Sequence, residues 1–355
     1  MKFLIVAAKT GGHVFPAATV SKKLINKDHQ IILIGTGNNI EINAYEDLNS
    51  KQYKLNIDGF RGKNVFVKIK VLFQIITNIF YLLKVIKEER IDAMIGFGGF
   101  ISVPAGIACF IKGIPVFTHE QNSVMGSANK LLSKFAVINF LGFEISNINN
   151  SIFSGNPIRD TFRHYSKDIT EELEDKIKVY ITGGSQGSKY INLNMPHALE
   201  PLSEYLLIKH QCGLDNLEQV KSEYESRNIE AEVLEFFNNP EEQIKWSDFV
   251  VSRAGALSLS EITSMKKGAL MIPLPNSIDN HQYENAKKIE DMGMGILHEE
   301  DEDIINKNLI EAKKKYGENI PMSHHPKIRS EEACFVSSSN AIKLAQETGA
   351  RLHVF

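Results

Sequence analysis

Short runs of apolar and β-branched residues alternate with longer amphipathic segments along the first half of the chain. The apolar runs read KFLIVAA, QIILIG, DAMIGF, IPVFTH and FAVINF, and helical patterns such as FPAATVSKKLINK lie between several of them. This alternation is typical of βαβ units, so it predicts a parallel sheet with helices packed on it.

A second series of apolar runs follows in the other half, reading KVYITGG, YLLIKHQ, AEVLEFF, DFVVSRAG and GALMIPLP. The two series meet near SGNPIRD, where Gly155 and Pro157 interrupt the pattern. The expected fold class is therefore α/β, with two doubly wound Rossmann-like domains that face a central cleft. Ligands of such sheets bind at the carboxyl ends of the strands.

The segment Val71–Ile86 is the most apolar in the chain. Gln74, Thr77 and Asn78 interrupt it, and it falls short of the roughly 18 continuous apolar residues of a spanning helix, so we expect it not to cross a membrane. Lysines flank it at positions Lys63, Lys68, Lys70, Lys84 and Lys87. Two interpretations stay open: a helix lying on an anionic leaflet, or a core helix with solvated lysine ends.

Composition narrows the class of protein. The chain has 355 residues, of which 43% are hydrophobic and 23% charged, and at about 150 residues per domain this predicts two globular domains. A net charge of -3 argues against bulk binding of nucleic acid, so no nucleic-acid partner is expected. Cys109, Cys212 and Cys334 are scattered without metal or disulfide spacing, which favours a reducing cytosol. The opening run MKFLIVAAK is too short for a signal peptide and is interpreted as a buried strand.

Three glycine-rich loops directly follow predicted strands: TGGH at 10–13, GFGGF at 96–100 and GGSQGS at 183–188. The first loop matches neither the Walker pattern nor the dinucleotide fingerprint. A single such loop is often explained by the positive φ that a tight turn needs. Three of them at one cleft favour phosphate binding by backbone N–H groups at helix N-termini, without a metal ion.

Seven ordered motifs carry a family resemblance: TGGHVFPA, GFGGFISVPAGIA, HEQNSVMGSANKLLS, GNPIR, GGSQGSKYIN, SRAGALSLSEI and IPLPNSIDNHQYENA. Together they resemble the MurG family of peripheral membrane glycosyltransferases, which add N-acetylglucosamine to the muramyl-pentapeptide lipid of bacterial cell-wall synthesis. The resemblance implies a GT-B fold, UDP-N-acetylglucosamine as donor, inversion at the sugar carbon and no cofactor. It also implies the undecaprenyl-pyrophosphoryl lipid as acceptor, and a place on the anionic inner leaflet, at the cytoplasmic face of the plasma membrane.

The resemblance runs from residue 1 to about residue 297. It implies an acceptor- and membrane-binding domain over 1–157 and a UDP-sugar-binding domain over 158–297. From about His298 the sequence instead resembles an internal piece of dihydroorotase, most specifically in HPKIRSEEAC. Because about 58 residues cannot close a barrel of about 250, we expect no hydrolase chemistry from this atypical tail, 298–355. No metal site is expected either, since the acidic DED at 301–303 is typical of a solvated helix start.

Donor roles come from the resemblance. Glu261 is expected to accept hydrogen bonds from the ribose hydroxyls, and the uracil is expected near Phe237 beside Arg159. Ser185 and Gln186 are expected to receive the diphosphate. The other implied donor contacts are Thr10, Gly11, Gly12, Asn122, Ala256, Leu257, His281 and Gln282.

Acceptor roles fall on the first two glycine loops. The implied contacts of the lipid pyrophosphate are Lys9, Thr10, Gly11, Gly12, Gly98, Gly99 and Phe100. His13 is the first candidate to take the proton of the acceptor hydroxyl, because an imidazole with an ordinary pKa of about 6.5 is mostly neutral in the cytosol. The alternative is that His13 only orients the substrate, with Glu120 as base or as partner of His119.

The first loop departs from the family pattern at Ala8 and Lys9, where glycines are usual. A non-glycine residue held in the left-handed region costs about 1 to 2 kcal/mol, while Lys9 could add a positive charge for the pyrophosphate. Two rival functions stay open beside the transferase. One is a UDP-N-acetylglucosamine epimerase, which would need neither a lipid surface nor HEQN, and the other is a non-catalytic sugar-nucleotide-binding protein.

Overall fold

The chain divides into two compact units in a computed structural model that describes residues 1–57, 65–162, 176–184 and 186–300. The first unit comprises Met1–Lys167 together with Gly255–Met265, and the second comprises Asp168–Ala254 with Lys266–Phe355. Gly255–Met265 comes late in the sequence, and the pattern of apolar residues did not predict that it belongs to the first unit.

The first unit is built on a parallel sheet. Its strands are β1 (Lys2–Val6), β2 (Gln30–Gly35), β3 (Lys51–Lys54), β4 (Ala93–Gly96), β5 (Val116–Glu120), β6 (Ile138–Leu141) and β7 (Ser151–Phe153). Among the described residues these seven strands run in the order β3-β2-β1-β4-β5-β6-β7. The direction of winding reverses between β1 and β4, which makes the loops after these two strands the topological switch point of the sheet.

Helices cover both faces of this sheet. They are α1 (Gly11–Ile25), α2 (Asn39–Tyr45), α3 (Val65–Glu89), α4 (Ser102–Ile111) and α5 (Ser127–Leu132), with 3-10 turns at Glu46–Leu48 and Asp160–Phe162. Along β1, Leu4 and Val6 pack into one core with Leu82 of α3, while Ile5 packs into the opposite core with Val14 of α1. Because both faces of β1 are buried, its sequence is an uninterrupted apolar run.

The second unit repeats the plan. Its strands are β8 (Ile177–Thr182), β9 (Leu206–Gln211), β10 (Ala231–Leu234), β11 (Phe249–Ser252), β12 (Gly268–Met271) and β13 (Gly295–Leu297). The helices that follow β8 in the sequence are α6 (Lys189–Leu199), α7 (Leu217–Glu225), α8 (Pro240–Trp246), α9 (Ala256–Ser264) and α10 (His281–Asp291), with 3-10 turns at Glu200–Tyr205 and Ile278–Asn280. Over the described part of the chain the strand order is β10-β9-β8-β11-β12-β13, so the switch point lies between β8 and β11. The predicted α/β class with two doubly wound domains is confirmed.

Helix α3 has a buried side and an exposed apolar side. Val71, Leu82, Val85 and Ile86 are at most 3% exposed. The exposed apolar side chains, which we call the α3 outer face, are Ile69, Leu72, Phe73, Ile76, Phe80 and Tyr81. Within the described ranges, only the helix Ile69–Glu89 has the length and composition of a membrane span, with a mean hydropathy of 1.7 over a window of 18 residues. The buried side agrees with the interpretation as a core helix, and the exposed apolar side leaves the interpretation as a leaflet-bound helix a prediction.

Candidate functional site

The two glycine loops of the first unit meet at His13. Loop 7–10 follows β1 and loop 97–101 follows β4, so both lie at the switch point of the sheet. Gly98 has φ +98°, and a Cβ added to it would lie 3.0 Å from His13 Nε2. Glycine is therefore required there both by its backbone conformation and by the imidazole beside it. The sequence-predicted residues His13, Gly98 and Gly99 are brought together.

His13 also touches the loop that precedes it. Its Nδ1 lies 3.3 Å from Thr10 Oγ1. With the proton on Nδ1, the ring donates to this hydroxyl and Nε2 is the basic nitrogen. Helix α1 begins at Gly11, no acidic residue occupies its first turn, and Thr10 makes no side-chain cap. The positive end of this helix is thus available for an anion.

Lys9 adopts the left-handed conformation, with φ +74°. This is the position where the sequence departs from the glycines usual in the family, and the side chain is exposed. A lysine there carries the cost of about 1 to 2 kcal/mol expected of a residue with a Cβ. In the second loop, Phe100 is partly buried and packs against the core beneath α3, so its ring contributes to packing beside the expected acceptor contacts.

His119 is a buried, neutral member of a hydrogen-bond network. Gln121 Nε2 donates to His119 Nδ1 at 3.1 Å and to the backbone oxygen of the same residue at 3.1 Å. The proton is therefore assigned to His119 Nε2, which donates to the carbonyl of Gly155 at 3.1 Å. Burial lowers the pKa of His119, and its ring stacks on Phe97. Its ring nitrogens pair with Gln121 and Gly155, not with Glu120.

Glu120 anchors the loop that leads into α5. It is 2% exposed, and its carboxylate accepts from Asn122 N at 3.1 Å, Asn122 Nδ2 at 3.2 Å, Gly126 N at 2.9 Å and Asn129 Nδ2 at 2.9 Å. These four hydrogen bonds engage both oxygens of the carboxylate, and two of them hold Asn122 in place.

Arg159 and Glu261 form an ion pair in the first unit. Arg159 Nη2 and Nε lie 3.0 Å and 3.2 Å from the same oxygen, Glu261 Oε1. Glu261 is 7% exposed, and the guanidinium lies over the ring of Phe162 at 4.6 Å. Ala256, which is buried, and Leu257, which is half-buried, form the first turn of α9. A ribose bound to Glu261 would share the carboxylate with Arg159.

In the second unit the third glycine loop leads into α6. Ser185 lies outside the described residues. Gln186 is exposed, Gly187 N donates to the carbonyl of Gly184 at 3.1 Å, and Ser188 Oγ caps the helix by accepting from Ile191 N at 3.2 Å. The loop thus turns tightly at the N-terminus of α6, at the switch point of the second sheet.

Gln211, which the sequence interpretation missed, joins this loop to Phe237. It is 8% exposed. Its Oε1 accepts from Tyr180 Oη at 3.3 Å and Phe237 N at 3.2 Å, and its Nε2 donates to Thr182 Oγ1 and to the carbonyl of Gly184, each at 3.3 Å. An amide at the end of the apolar run YLLIKHQ was the available signal, because a buried polar side chain must find partners.

His281 and Gln282 open α10. His281 Nδ1 lies 2.7 Å from the carbonyl of Ile278, and Gln282 Oε1 accepts from Leu274 N at 3.0 Å. Both side chains are half-buried and shape the loop between β12 and α10. In the part of the chain that the structure covers, no three His, Cys, Asp or Glu side chains are grouped to hold a metal ion. The DED segment and nearly all of the tail lie outside that part.

Comparison with known proteins links the chain to one family of enzymes. Residues 3–138 match the Glycosyltransferase family 28 N-terminal domain and residues 178–338 match the Glycosyltransferase family 28 C-terminal domain. A UDP-N-acetylglucosamine--N-acetylmuramyl-(pentapeptide) pyrophosphoryl-undecaprenol N-acetylglucosamine transferase of Shewanella frigidimarina is 37% identical over 326 residues, which cover 90% of this chain and 88% of the relative. The matched region extends beyond residue 297, and the dihydroorotase resemblance of the tail stays a prediction.

The similarity to solved structures agrees with the match to this family of enzymes. The crystal structure of MurG from Acinetobacter baumannii is similar with a TM-score of 0.72 and 33% identity, over 84% of this chain and 86% of that one. A UDP-N-acetylglucosamine 2-epimerase from Neisseria meningitidis bound to UDP-N-acetylglucosamine has a TM-score of 0.61, over 97% of this chain and 100% of that one. At 16% identity, the epimerase shares the fold alone.

Proposed function

Because the chain belongs to the family of UDP-N-acetylglucosamine--N-acetylmuramyl-(pentapeptide) pyrophosphoryl-undecaprenol N-acetylglucosamine transferases, we propose that it carries out the family's reaction. It is a UDP-N-acetylglucosamine-dependent glycosyltransferase of peptidoglycan synthesis. It converts lipid I to lipid II by moving N-acetylglucosamine from UDP to the muramyl-pentapeptide lipid. The epimerase alternative has only a shared fold in its favour.

One geometric observation carries the assignment of chemistry. His13 lies at the N-terminus of α1 and against Gly98 of the second loop. A helix N-terminus favours a pyrophosphate, and an imidazole beside it is placed to act on a hydroxyl of the same acceptor. The first unit therefore offers an anion site and a base within one loop cluster.

The proposed step is an inverting displacement. The acceptor hydroxyl oxygen forms a bond to the sugar's anomeric carbon while the bond from that carbon to the β-phosphate oxygen breaks. His13 Nε2 takes the hydroxyl proton, and UDP leaves with the electron pair. Glu120 is less suited to this role, because four hydrogen bonds already engage its buried carboxylate.

Stabilisation of the departing UDP falls to the third glycine loop. Charge develops on the β-phosphate as the bond breaks, and backbone N–H groups at a helix N-terminus stabilise such charge. The segment from Gly184 to the cap Ser188 supports this role, together with Gln186. We propose Phe237 for the uracil, Glu261 for the ribose, and Gln282 with His281 for the sugar.

Membrane association is proposed through the α3 outer face. Phe73 and Phe80 are 67% and 69% exposed, and Lys84 and Lys87 at the same helix are exposed as well. Apolar side chains beside lysines suit the boundary of an anionic leaflet. Since the inward side of α3 is buried in the core, the helix would lie along the membrane, with the protein peripheral on the cytoplasmic face.

The test uses the purified chain and labelled UDP-N-acetylglucosamine, with and without the muramyl-pentapeptide lipid. We expect label in the lipid fraction only when the acceptor is present. Lipid-free epimerisation would support the epimerase alternative, and binding without turnover would support the sugar-nucleotide-binding protein. Either result would overturn the proposal.

A further inference from the structure

Glu41 is a buried carboxylate that no part of the proposed mechanism uses. It lies in the first turn of α2 and is 1% exposed. Its Oε2 accepts from Thr36 N at 2.7 Å and Gly37 N at 2.6 Å, and its Oε1 accepts from Thr36 Oγ1 at 2.8 Å and Lys9 N at 3.0 Å. A charge this deeply buried needs such a set of donors.

The bond to Lys9 distinguishes this arrangement from an ordinary helix cap. A glutamate at this position commonly satisfies backbone N–H groups just before its own helix, as the bonds to Thr36 and Gly37 do. Lys9 instead belongs to the loop after β1, 32 positions earlier in the chain. The bond from Lys9 N to Glu41 is not needed to cap α2. Its effect is therefore on the loop after β1.

Lys9 is held at both of its backbone polar groups. Glu41 accepts from its N–H, and Asn38 Nδ2 donates to its carbonyl at 3.1 Å. Asn38 is also the N-cap of α2, accepting from Glu41 N at 2.9 Å. The first turn of α2 thus fixes Lys9 in its left-handed conformation of φ +74°, which a residue with a Cβ adopts only under constraint.

Space for the carboxylate is provided by Gly35 at the end of β2. A Cβ at this position would collide with Glu41 Oε2. The sequence GTGNNIE therefore supplies the space, the two backbone donors, the cap and the carboxylate in one stretch of 35–41.

We propose that Glu41 is a positioning residue for the transfer reaction, which holds the first glycine loop in place for the acceptor. This inference rests on the proposed function. Thr10, Gly11, Gly12 and His13 follow Lys9 directly, so the conformation of Lys9 sets where the N-terminus of α1 and the imidazole lie. Glu41 acts through Lys9 and is not placed in contact with substrate.

The first variant is Glu41→Gln. The glutamine amide must place its NH₂ group at one of the two oxygen positions. At Oε2 it would face two backbone donors, whereas at Oε1 it faces Lys9 N and a hydroxyl that can reverse its role. The side chain therefore turns its NH₂ group to Lys9, which loses its acceptor. We expect the acceptor KM to rise about tenfold, with the donor KM within about twofold of its normal value.

Two further variants complete the test, one as a control and the other as a second way to weaken the hold on Lys9. Glu46→Gln makes the same chemical change at an exposed carboxylate at the end of α2, and it should leave both KM values unchanged. Asn38→Ser keeps a capping oxygen for α2 but removes the amide donor to the Lys9 carbonyl. It should raise the acceptor KM about threefold, and it serves if Glu41→Gln fails to fold.

Lys9→Gly supplies a double-mutant cycle. Glycine adopts positive φ without the Cβ penalty, so it depends less on the contact with Glu41. Within the Lys9→Gly background, Glu41→Gln should raise the acceptor KM by no more than about threefold. Lys9→Gly alone and Lys9→Gly with Glu41→Gln both lack the lysine charge, so the effect of losing that charge cancels when their acceptor KM values are compared.

Amide hydrogen exchange tests the same inference without substrate. Glu41→Gln should speed exchange at Lys9, whose N–H donates to Glu41 in the wild type, about tenfold while exchange in α10 stays unchanged. If the wild-type chain transfers no sugar, this readout still decides the role of Glu41, and the failure belongs to the proposed function. Unchanged exchange at Lys9, or equal rises in the donor and acceptor KM, would overturn the inference.

Discussion

His13 carries the most direct prediction at the scale of single residues. If it takes the acceptor proton, His13→Ala should lower turnover by about 10² to 10⁴, the usual range for a positioned general base. Donor affinity should stay near normal, because His13 itself is not among the expected donor contacts, although Thr10, Gly11 and Gly12 of the same loop are. Steady-state kinetics with both substrates, together with calorimetry of UDP-N-acetylglucosamine, measure the two effects.

The alternative for His13 gives a different pattern. If the imidazole only contacts the pyrophosphate, the same change raises the acceptor KM and leaves turnover nearly intact. Glu120→Gln, which keeps the shape of the side chain but removes its basicity, would then be the informative variant. Loss of folding in that variant would point to the anchoring bonds of Glu120 and not to catalysis.

Glu261 is the second residue whose role can be measured. Glu261→Ala should weaken donor binding by about 1 to 3 kcal/mol, because the ribose hydroxyls lose a charged acceptor. Calorimetry checks this, with Glu242→Ala as a control at an exposed glutamate of α8. Arg159→Gln separates the ion pair from the ribose contact. If it leaves donor binding near normal, the loss in Glu261→Ala belongs to the ribose contact and not to the broken pair.

The parts of the site whose residues are neighbours in the chain could be predicted from the sequence. TGGH and GFGGF follow apolar strands, so their place at the strand ends could be predicted. Glu41 and Gln211 could not be assigned in this way, because their roles depend on partners far away in the sequence, 32 positions for Lys9 and 26 for Phe237. A buried polar side chain signals that partners exist but not which ones.

At the scale of elements, α3 gives a test of membrane binding. Phe73→Ser and Phe80→Ser alter exposed side chains and should reduce binding to anionic vesicles without changing the melting temperature. Leu82→Ala is the matched change on the buried side, since Leu82 is 0% exposed, and it should destabilise by about 2 to 5 kcal/mol. Vesicle sedimentation and thermal unfolding measure the two outcomes.

Salt separates the two contributions to that binding. Lys84→Glu should weaken vesicle binding strongly at low ionic strength and little at high ionic strength. Ile75 and Ile79, which would also be natural choices for an exposed patch, pack against the core instead. Polar changes at those two positions would therefore report on folding. Full vesicle binding by the Phe73 and Phe80 variants would rule out the α3 outer face.

The end of α3 is tied to the sheet by Glu89. Its carboxylate accepts from Lys51 Nζ at 2.5 Å, Tyr53 Oη at 2.6 Å and Lys2 Nζ at 3.5 Å. The bonds from Lys51 and Tyr53 lower the pKa of Glu89 to about 2. A lowered pKa means that this stabilisation is present above the ordinary glutamate pKa of about 4.3 and is lost as the pH falls towards 2.

Glu89→Gln removes that pH dependence. The urea midpoint of the wild-type chain should fall more between about pH 5 and about pH 3 than that of the variant. Glu88→Gln, at an exposed neighbour in the same helix, should behave like the wild type. Equal losses in the wild type and Glu89→Gln would show that other carboxylates dominate acid unfolding.

All ten apolar runs in the sequence correspond to strands, whereas β3, β7 and β13 were not predicted. These three lie at sheet edges. β3 reads KQYK and is mostly exposed, and β7 and β13 are only three residues long. An edge strand needs partners on one side only and little burial, so its sequence does not require an apolar run. All central strands could be predicted, and of the four edge strands only β10, which lies in the apolar run AEVLEFF, could be predicted as well.

At the scale of the whole molecule, donor binding should stabilise the second unit. Trp246, the one tryptophan in the sequence, ends α8 in this unit and lies beneath Lys209 Nζ at 4.5 Å. Its fluorescence therefore reports on unfolding there. UDP-N-acetylglucosamine at about 100 times its Kd should raise the stability measured by this probe by about 2.7 kcal/mol. GDP-mannose is the control, and an equal shift with it would contradict a specific uridine site.

The late return of Gly255–Met265 to the first unit affects how the protein is made. Arg159 pairs with Glu261, the Phe162 carbonyl accepts from Ser264 Oγ, and Asn156 Nδ2 donates to Ser260 Oγ. On the ribosome, about 100 residues must be added after Lys167 before Met265 is synthesised, which takes about 5 to 20 s at the usual rate of translation. Throughout that interval the nascent first unit lacks these partners. Its completion is therefore coupled to synthesis of the second unit.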